Sequence, residues 1–261
     1  MVSLAYHRQG SGPPLVLLHG LGHRRQGWDP VVPLLAERHD VVAVDLPGFG
    51  ASPACGGARW REDLSVAVAE FTADLGLDRP HVAGNSLGGA LALELAAAGQ
   101  VASATALAPA GFWTTWERRW ALALLHTLRS VAFLPDPVLG AAARSARVRT
   151  LAYGLLVGRP DRLTAELVLA DALAMRSGPA FRAVARHGRD YAPRGKPRCP
   201  VTVAWGTHDR LLLHRQAARA RALLPDARHV DLPGCGHSPM NDDPELVASV
   251  ICQTTGTEDR R

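Results

Sequence analysis

The sequence predicts an α/β domain, a mostly parallel central sheet with flanking helices, interrupted once by an inserted helical segment. Three observations carry this. Short apolar runs alternate with helical patterns over residues 1–111, as a parallel sheet flanked by helices reads. From Phe112 to Arg198 the alternation stops, and only helical patterns broken by Pro and Gly remain. From Cys199 onward it resumes. The expected organisation is a core made of residues 1–111 and 199–261 with a helical cap of residues 112–198. With 261 residues and 47% apolar side chains the chain can bury a sizeable core, which excludes wholesale disorder.

In chain order, PPLVLLH (13–19), DVVAVDL (40–46) and PHVAG (80–84) read as central strands. Between the last two, REDLSVAVAEFTADL (61–75) sets Leu64, Val68, Phe71 and Leu75 at helical spacing. ALALELAAA (90–98) is a strong helix former, and ASATALAPA (102–110) is the next strand, closed by Pro109. The insertion then supplies TTWERRWALALLHTLRS, PVLGAAARSARV, RLTAELVLADALAM and PAFRAVARHGRD as helices, with no fixed period that would make it a repeat array. CPVTVAWG (199–206) and ARHVDLP (227–233) are strands, each followed by a helix, near 214–223 and at 244–252. The polar tail TTGTEDRR is expected to fray. Open parallel sheets bind ligands at the carboxyl ends of their strands, so an insertion leaving from that edge should lie over the site as a lid.

Several classes are excluded. No apolar run reaches the roughly 18–20 residues of a membrane span. The start, MVSLAYHRQGSGPP, lacks a basic stretch followed by an apolar one, so a cytoplasmic location is expected. Cys55, Cys199, Cys235 and Cys252 show no C-x-x-C spacing and read as unpaired thiols, neither disulfides nor zinc ligands. Residues 112–198 hold 15 Lys/Arg against 6 Asp/Glu, a balance of +9 within an overall +5. These arginines are spread about one per helical turn, which reads as a solvated face and not a nucleic-acid site.

The chemistry centres on Gly84-Asn85-Ser86-Leu87-Gly88, a G-x-S-x-G match at the join of a predicted strand and a predicted helix. By composition such a match arises in roughly one chain of this length in ten, so its position carries the weight. A turn this sharp lifts the serine hydroxyl from the sheet, and glycines let the chain crowd beneath it. Ser86 standing alone would also suit a helix N-cap. A serine nucleophile needs a base, and the base needs an orienting acid. His237 follows the strand ARHVDLP, and Asp209 follows CPVTVAWG, both at the edge where Ser86 emerges. Asp45 is a rival acid, although its glycine-rich turn reads as structural. His208 should point away from the site if Asp209 points in. A tetrahedral intermediate needs two backbone N–H donors. Leu87 supplies one and Leu21, in the loop LLHGLGHRRQGW (17–28), the expected second. His19 and His23 have metal-like i, i+4 spacing, but the intervening glycines argue against a helix, and His19 reads as a brace for this loop.

HGLG at 19–22, DLPGFGAS at 45–52, GNSLGG at 84–89, GTHD at 206–209 and GCGHSPM at 234–240 together resemble the serine α/β-hydrolase superfamily, and they span nearly the whole chain outside the cap. The resemblance implies an α/β-hydrolase fold with a helical cap and hydrolysis of a small carboxylic ester or lactone through an acyl-serine, without metal or organic cofactor. Asn85, Trp113 and Trp116 are candidate substrate contacts; Trp113, Trp116 and Trp120, with Leu124, share a predicted helix face that either packs the cap or lines an apolar pocket. Carbon–carbon hydrolysis of ring-fission diketones is the alternative. Those enzymes commonly carry Trp after the catalytic His, where this chain has Ser238, and His-Gly-x-Gly-Pro-Gly, where it has HGLGHRR. Acyl transfer and perhydrolysis use the same triad. A ligand-binding receptor with vestigial turnover is a further alternative, and nothing here sets an oligomeric state.

Overall fold

The computed structural model describes residues 3–54, 60–188 and 191–257, the side chains of 60–62 excepted. Cys55, residues 189–190 of the last predicted cap helix and residues 258–261 of the tail lie outside the described residues. The apolar runs become strands: β2 (Pro14–Leu18), β3 (Asp40–Val44), β4 (His81–Asn85), β5 (Ser103–Leu107), β6 (Val201–Gly206) and β7 (Arg228–Leu232). With β1 (Tyr6–Gln9) they form, among the described residues, a seven-stranded sheet ordered β1-β3-β2-β4-β5-β6-β7. β1 pairs antiparallel with β3 and every other pairing is parallel.

Because successive strand side chains point to opposite faces, each run feeds two cores. Val16, Leu18, Val42, Val44, Val82 and Val203 enter one; Leu15, Leu17, Val41, Ala43, Ala83 and Ala204 enter the other. The first is covered by α2 (Trp60–Asp74) and α3 (Leu87–Ala98) through Leu64, Val68, Phe71, Leu91 and Leu95. The second is covered by α1 (Val32–Ala36), the short α10 (Pro239–Asp242) and α11 (Pro244–Thr255) through Leu35, Met240, Val247 and Ile251. Each fully buried aliphatic side chain contributes about 1.5–3 kcal/mol. β1 lies outside the runs read as strands from the sequence: all four of its residues are exposed, and Arg8 reaches Asp40 at 2.8 Å on the neighbouring strand. It is a short charged edge, which discourages pairing with other chains.

Between β5 and β6 run α4 (Thr115–Val131), α5 (Asp136–Arg144), α6 (Ala146–Tyr153), α7 (Ala165–Ser177) and α8 (Phe181–His187). α4 starts in a capping box, Thr114 accepting from the Glu117 N–H and Glu117 accepting from the Thr114 N–H. The same buried carboxylate meets Arg215 and Arg219, which fastens the insertion to the segment around α9 (Gln216–Leu223). Burial alone would raise the carboxyl of Glu117, but the Thr114 N–H and the two guanidiniums outweigh it and hold its pKa to about 2. The stretch PVLGAAARSARV does not form one helix. Ser145 turns extended (φ −77°, ψ 112°), and its hydroxyl caps α6 by accepting from the Val148 N–H. Some arginines expected on a solvated face instead close loops and helix ends: Arg149 donates to the Ala143 carbonyl at 2.7 Å and Arg162 to that of Asp242 at 2.7 Å.

Among the described residues no single helix is long and apolar enough to cross a membrane, although α4 and α5 pass that test together across a 113° bend. Among the described residues Cys199, Cys235 and Cys252 form no disulfide.

Candidate active site

Ser86 sits where β4 gives way to α3, with φ 56° and ψ −111°. A non-glycine residue in that region stores about 1–3 kcal/mol of strain, so its surroundings must hold it. They do: the Ser86 N–H donates to the Leu107 carbonyl at 2.9 Å, and its own carbonyl accepts from Ala90 and Ala110 at 3.0 and 3.1 Å. Gly84 and Gly88 are required by close approach. A Cβ on Gly84 would stand 2.1 Å from the Gly88 carbonyl oxygen, and one on Gly88 2.1 Å from that of Leu18. The Ser86 side chain makes no capping bond to α3, so the N-cap role open to it on sequence grounds is not the one it takes. Its hydroxyl borders two adjoining cavities instead.

Asp209 and His237 lie in the loops after β6 and β7, each 4% exposed. One oxygen of Asp209 accepts from the N–H groups of Leu211 and Leu212 at 2.9 and 2.8 Å. That anchorage aims the other oxygen at His237 Nδ1, 2.8 Å away. A carboxylate on Nδ1 fixes the tautomer that leaves Nε2 as a proton acceptor. Ser86 and His237 line one cavity. The hydroxyl and the imidazole are not hydrogen-bonded to each other in this arrangement; bonds of this kind often tighten only when substrate binds.

Asn85, offered by the sequence as a substrate contact, lines the cavity shared by Ser86 and His237, but it is 4% exposed and its amide is engaged within the protein, donating to the His237 carbonyl at 2.8 Å and the Leu107 carbonyl at 3.3 Å. It ties the histidine loop to the residue beside Ser86. A second tie was invisible in the sequence: Asp242, 1% exposed, accepts from Gly236 at 2.7 Å, Gly158 at 2.9 Å and Arg159 at 2.8 Å. It thereby joins the histidine loop to the insertion. In NDDP nothing but geometry distinguishes it from Asp243, which caps α11.

Leu21 and Leu87 both line the cavity that reaches Ser86. Among the described residues neither of their N–H groups donates to the protein. His19 braces the loop before Leu21: Nδ1 donates to the Gly20 carbonyl at 2.8 Å, and Nε2 accepts from the Leu46 N–H at 2.9 Å. Burial pushes its imidazole down to about 4, the Gly20 carbonyl opposing only in part, so the ring is neutral at ordinary pH.

The remaining candidates sort by contact. Asp45 accepts from the Arg25 N–H at 2.6 Å and the Ala51 N–H at 2.9 Å and pairs with the Arg25 guanidinium, so it braces its turn, as its sequence suggested. His208 is exposed. His23 faces Asp171 of α7, and no cluster among the described residues could hold a metal. Trp113 precedes α4 and lines the apolar cavity beside Ser86. Trp116 does not line it: 58% exposed, it stacks on Trp120 at 6.4 Å beneath the Arg215 guanidinium. Its position on α4 turns it outward, away from Ala121, Leu122 and Leu125, which face the cavity.

Known proteins resemble this chain over most of its length. A 31% identical relative, an uncharacterized protein of Mycobacterium tuberculosis, aligns over 95% of this chain and 76% of its own. The pimeloyl-[acyl-carrier protein] methyl ester esterase of Nitrosomonas europaea is 29% identical over 95% of this chain and 98% of its own. Among solved structures, a thermophilic esterase from Thermogutta terrifontis superimposes with a TM-score of 0.72 at 23% identity, covering 97% of this chain and 92% of the other, a likeness of fold. The model of the alpha/beta hydrolase family matches residues 15–250, and the chain belongs to that family.

Proposed function

We propose that this protein hydrolyses carboxylic esters, lactones included, through an acyl-serine intermediate. The observation that carries the reading is the His237–Asp209 bond in the wall of the cavity that Ser86 also lines. Ser86 Oγ attacks the carbonyl carbon while His237 Nε2 takes its proton. The developing oxyanion turns toward the Leu21 and Leu87 N–H groups, which no protein acceptor occupies. Collapse expels the alcohol, protonated by Nε2. Water, deprotonated in turn by His237, then releases the acid. Asp209 keeps the imidazole in its tautomer and stabilises its charged form. The helices of residues 112–198 act as the lid, a reading supported by Trp113, Leu125 and Val184, which line the cavity that also includes Ser86.

Ser86→Ala should abolish turnover of a short p-nitrophenyl ester without lowering the melting temperature. Retained turnover would mean that another group is the nucleophile.

A further inference from the structure

The space around Ser86 is not one pocket but a run of three. The first, between α4, α8 and the sheet edge, holds Leu21, Leu87, Trp113, Leu122 and Val184 and is apolar apart from Ser86 and Tyr191. The second contains His237. The third, of about 100 Å³, shares His23, Leu156, Met175 and Ser238 with the second and continues along α7. This layout orients an ester. The leaving oxygen must face His237, which protonates it, so the alcohol half points into the second and third cavities. The acyl half then occupies the apolar first cavity.

The third cavity contains a polar group that the reaction steps above leave unused. Asp171, on α7, has an 11% exposed side chain and lines this cavity. Its neighbours are the imidazole of His23, with Nε2 at 3.5 Å, and the guanidinium of Arg24, with Nη2 at 3.7 Å. Both distances are at or beyond the limit of hydrogen bonding. The Oδ1 atom is buried and accepts no hydrogen bond. Burial alone would lower the pKa of His23, but the Asp171 carboxylate holds it above its usual value, and the Arg24 guanidinium already sets a positive charge beside Asp171. A further cation would be repelled by that guanidinium, whereas a neutral donor would satisfy the orphaned oxygen. Tyr153 does not compete, since its hydroxyl donates to the Val168 carbonyl at 3.0 Å.

We propose that Asp171 reads a neutral hydrogen-bond donor, a hydroxyl or amide N–H, on the alcohol half of the substrate, so that the preferred esters join an apolar acyl chain to a hydroxylated or amide-bearing alcohol. The assignment of halves rests on the hydrolytic reading above; the recognition by Asp171 is measurable without turnover.

Ser86→Ala protein is titrated calorimetrically with the n-butyl and 4-hydroxybutyl esters of hexanoic acid. The hydroxylated ester should bind at least about tenfold more tightly, as expected for a buried hydrogen bond to a charged acceptor. Adding Asp171→Leu should bring the ratio close to one, while Asp171→Asn, which keeps a carbonyl oxygen, should retain an intermediate ratio. Equal affinities in Ser86→Ala overturn the proposal even if the leucine variant fails to fold. So does a ratio unchanged by Asp171→Leu, which is what a mere latch between α7 and the His23 loop would give. Fluorophosphonate labelling of the unaltered protein reports separately on the hydrolase. Labelled Ser86 with equal affinities sinks only the subsite; unlabelled Ser86 with the tenfold preference sinks only the hydrolase.

Discussion

Asn85→Ala separates positioning from substrate contact. The substitution deletes the donor of two bonds, to His237 O at 2.8 Å and Leu107 O at 3.3 Å. The Leu107 carbonyl keeps a partner, because it also accepts from the Ser86 N–H at 2.9 Å. The His237 carbonyl is left without that donor inside the protein. One lost bond at about 1 kcal/mol plus one stranded acceptor at about 1–3 kcal/mol predicts a stability loss of about 2–4 kcal/mol. With its backbone tether gone, the His237 ring drifts, and a displacement approaching 1 Å costs on the order of 100-fold in rate. Urea unfolding should therefore shift to a lower midpoint. Steady-state hydrolysis of p-nitrophenyl butyrate should show kcat reduced about 10- to 100-fold with little change in KM. Asn85→Asp should do worse, since a carboxylate would face two carbonyl oxygens. If Asn85→Ala raises KM while kcat and stability stay at the unaltered level, the side chain touches substrate and the positioning role is wrong.

Other perturbations follow from the same contacts. His19, held at about 4 against an unfolded value near 6.5, is neutral in the fold but takes up a proton on unfolding. Stability should therefore fall by about 3 kcal/mol as pH drops from about 6.5 to about 4; a flat profile for that window in a His19→Gln difference experiment would contradict it. Glu117 is depressed in the same direction, in a lower pH window, its stabilisation being complete above about 4.5 and lost as pH falls through about 2. Glu117→Gln should cost about 1–3 kcal/mol by thermal unfolding and weaken the attachment of α4 to the α9 segment. Gly88→Ala should prevent accumulation of folded protein, because the added carbon meets backbone at 2.1 Å; a variant with the parental melting temperature would refute the close approach. Trp113→Ala should change acyl-chain preference and Trp116→Ala should not, measured over p-nitrophenyl esters of two to ten carbons.

The central strands and the elbow were legible because burial on both faces writes itself as short apolar runs and because Gly84 and Gly88 answer a contact that no other residue survives. β1 was not, since its four exposed residues at an antiparallel edge carry no apolar alternation. The break at Ser145 was hidden inside a continuous alanine-rich pattern, where one serine serves equally as a helical residue or a cap. Asp209, His237 and Ser86 could be placed at a common edge from strand order alone. The direction of each side chain could not: Asn85 turns beneath the histidine loop and Trp116 away from the cavity, both decided by packing between segments distant in the chain. Asp171 and Asp242 lacked any local signature, because what makes them distinctive is a neighbour more than eighty residues away in each case.

The most direct measurement is the site of covalent trapping. Incubation with a fluorophosphonate followed by intact mass spectrometry and peptide mapping should show one adduct, on Ser86, with labelling strongly slowed in His237→Ala. An adduct on another residue, or labelling of His237→Ala at the unaltered rate, would contradict an activated serine at this position.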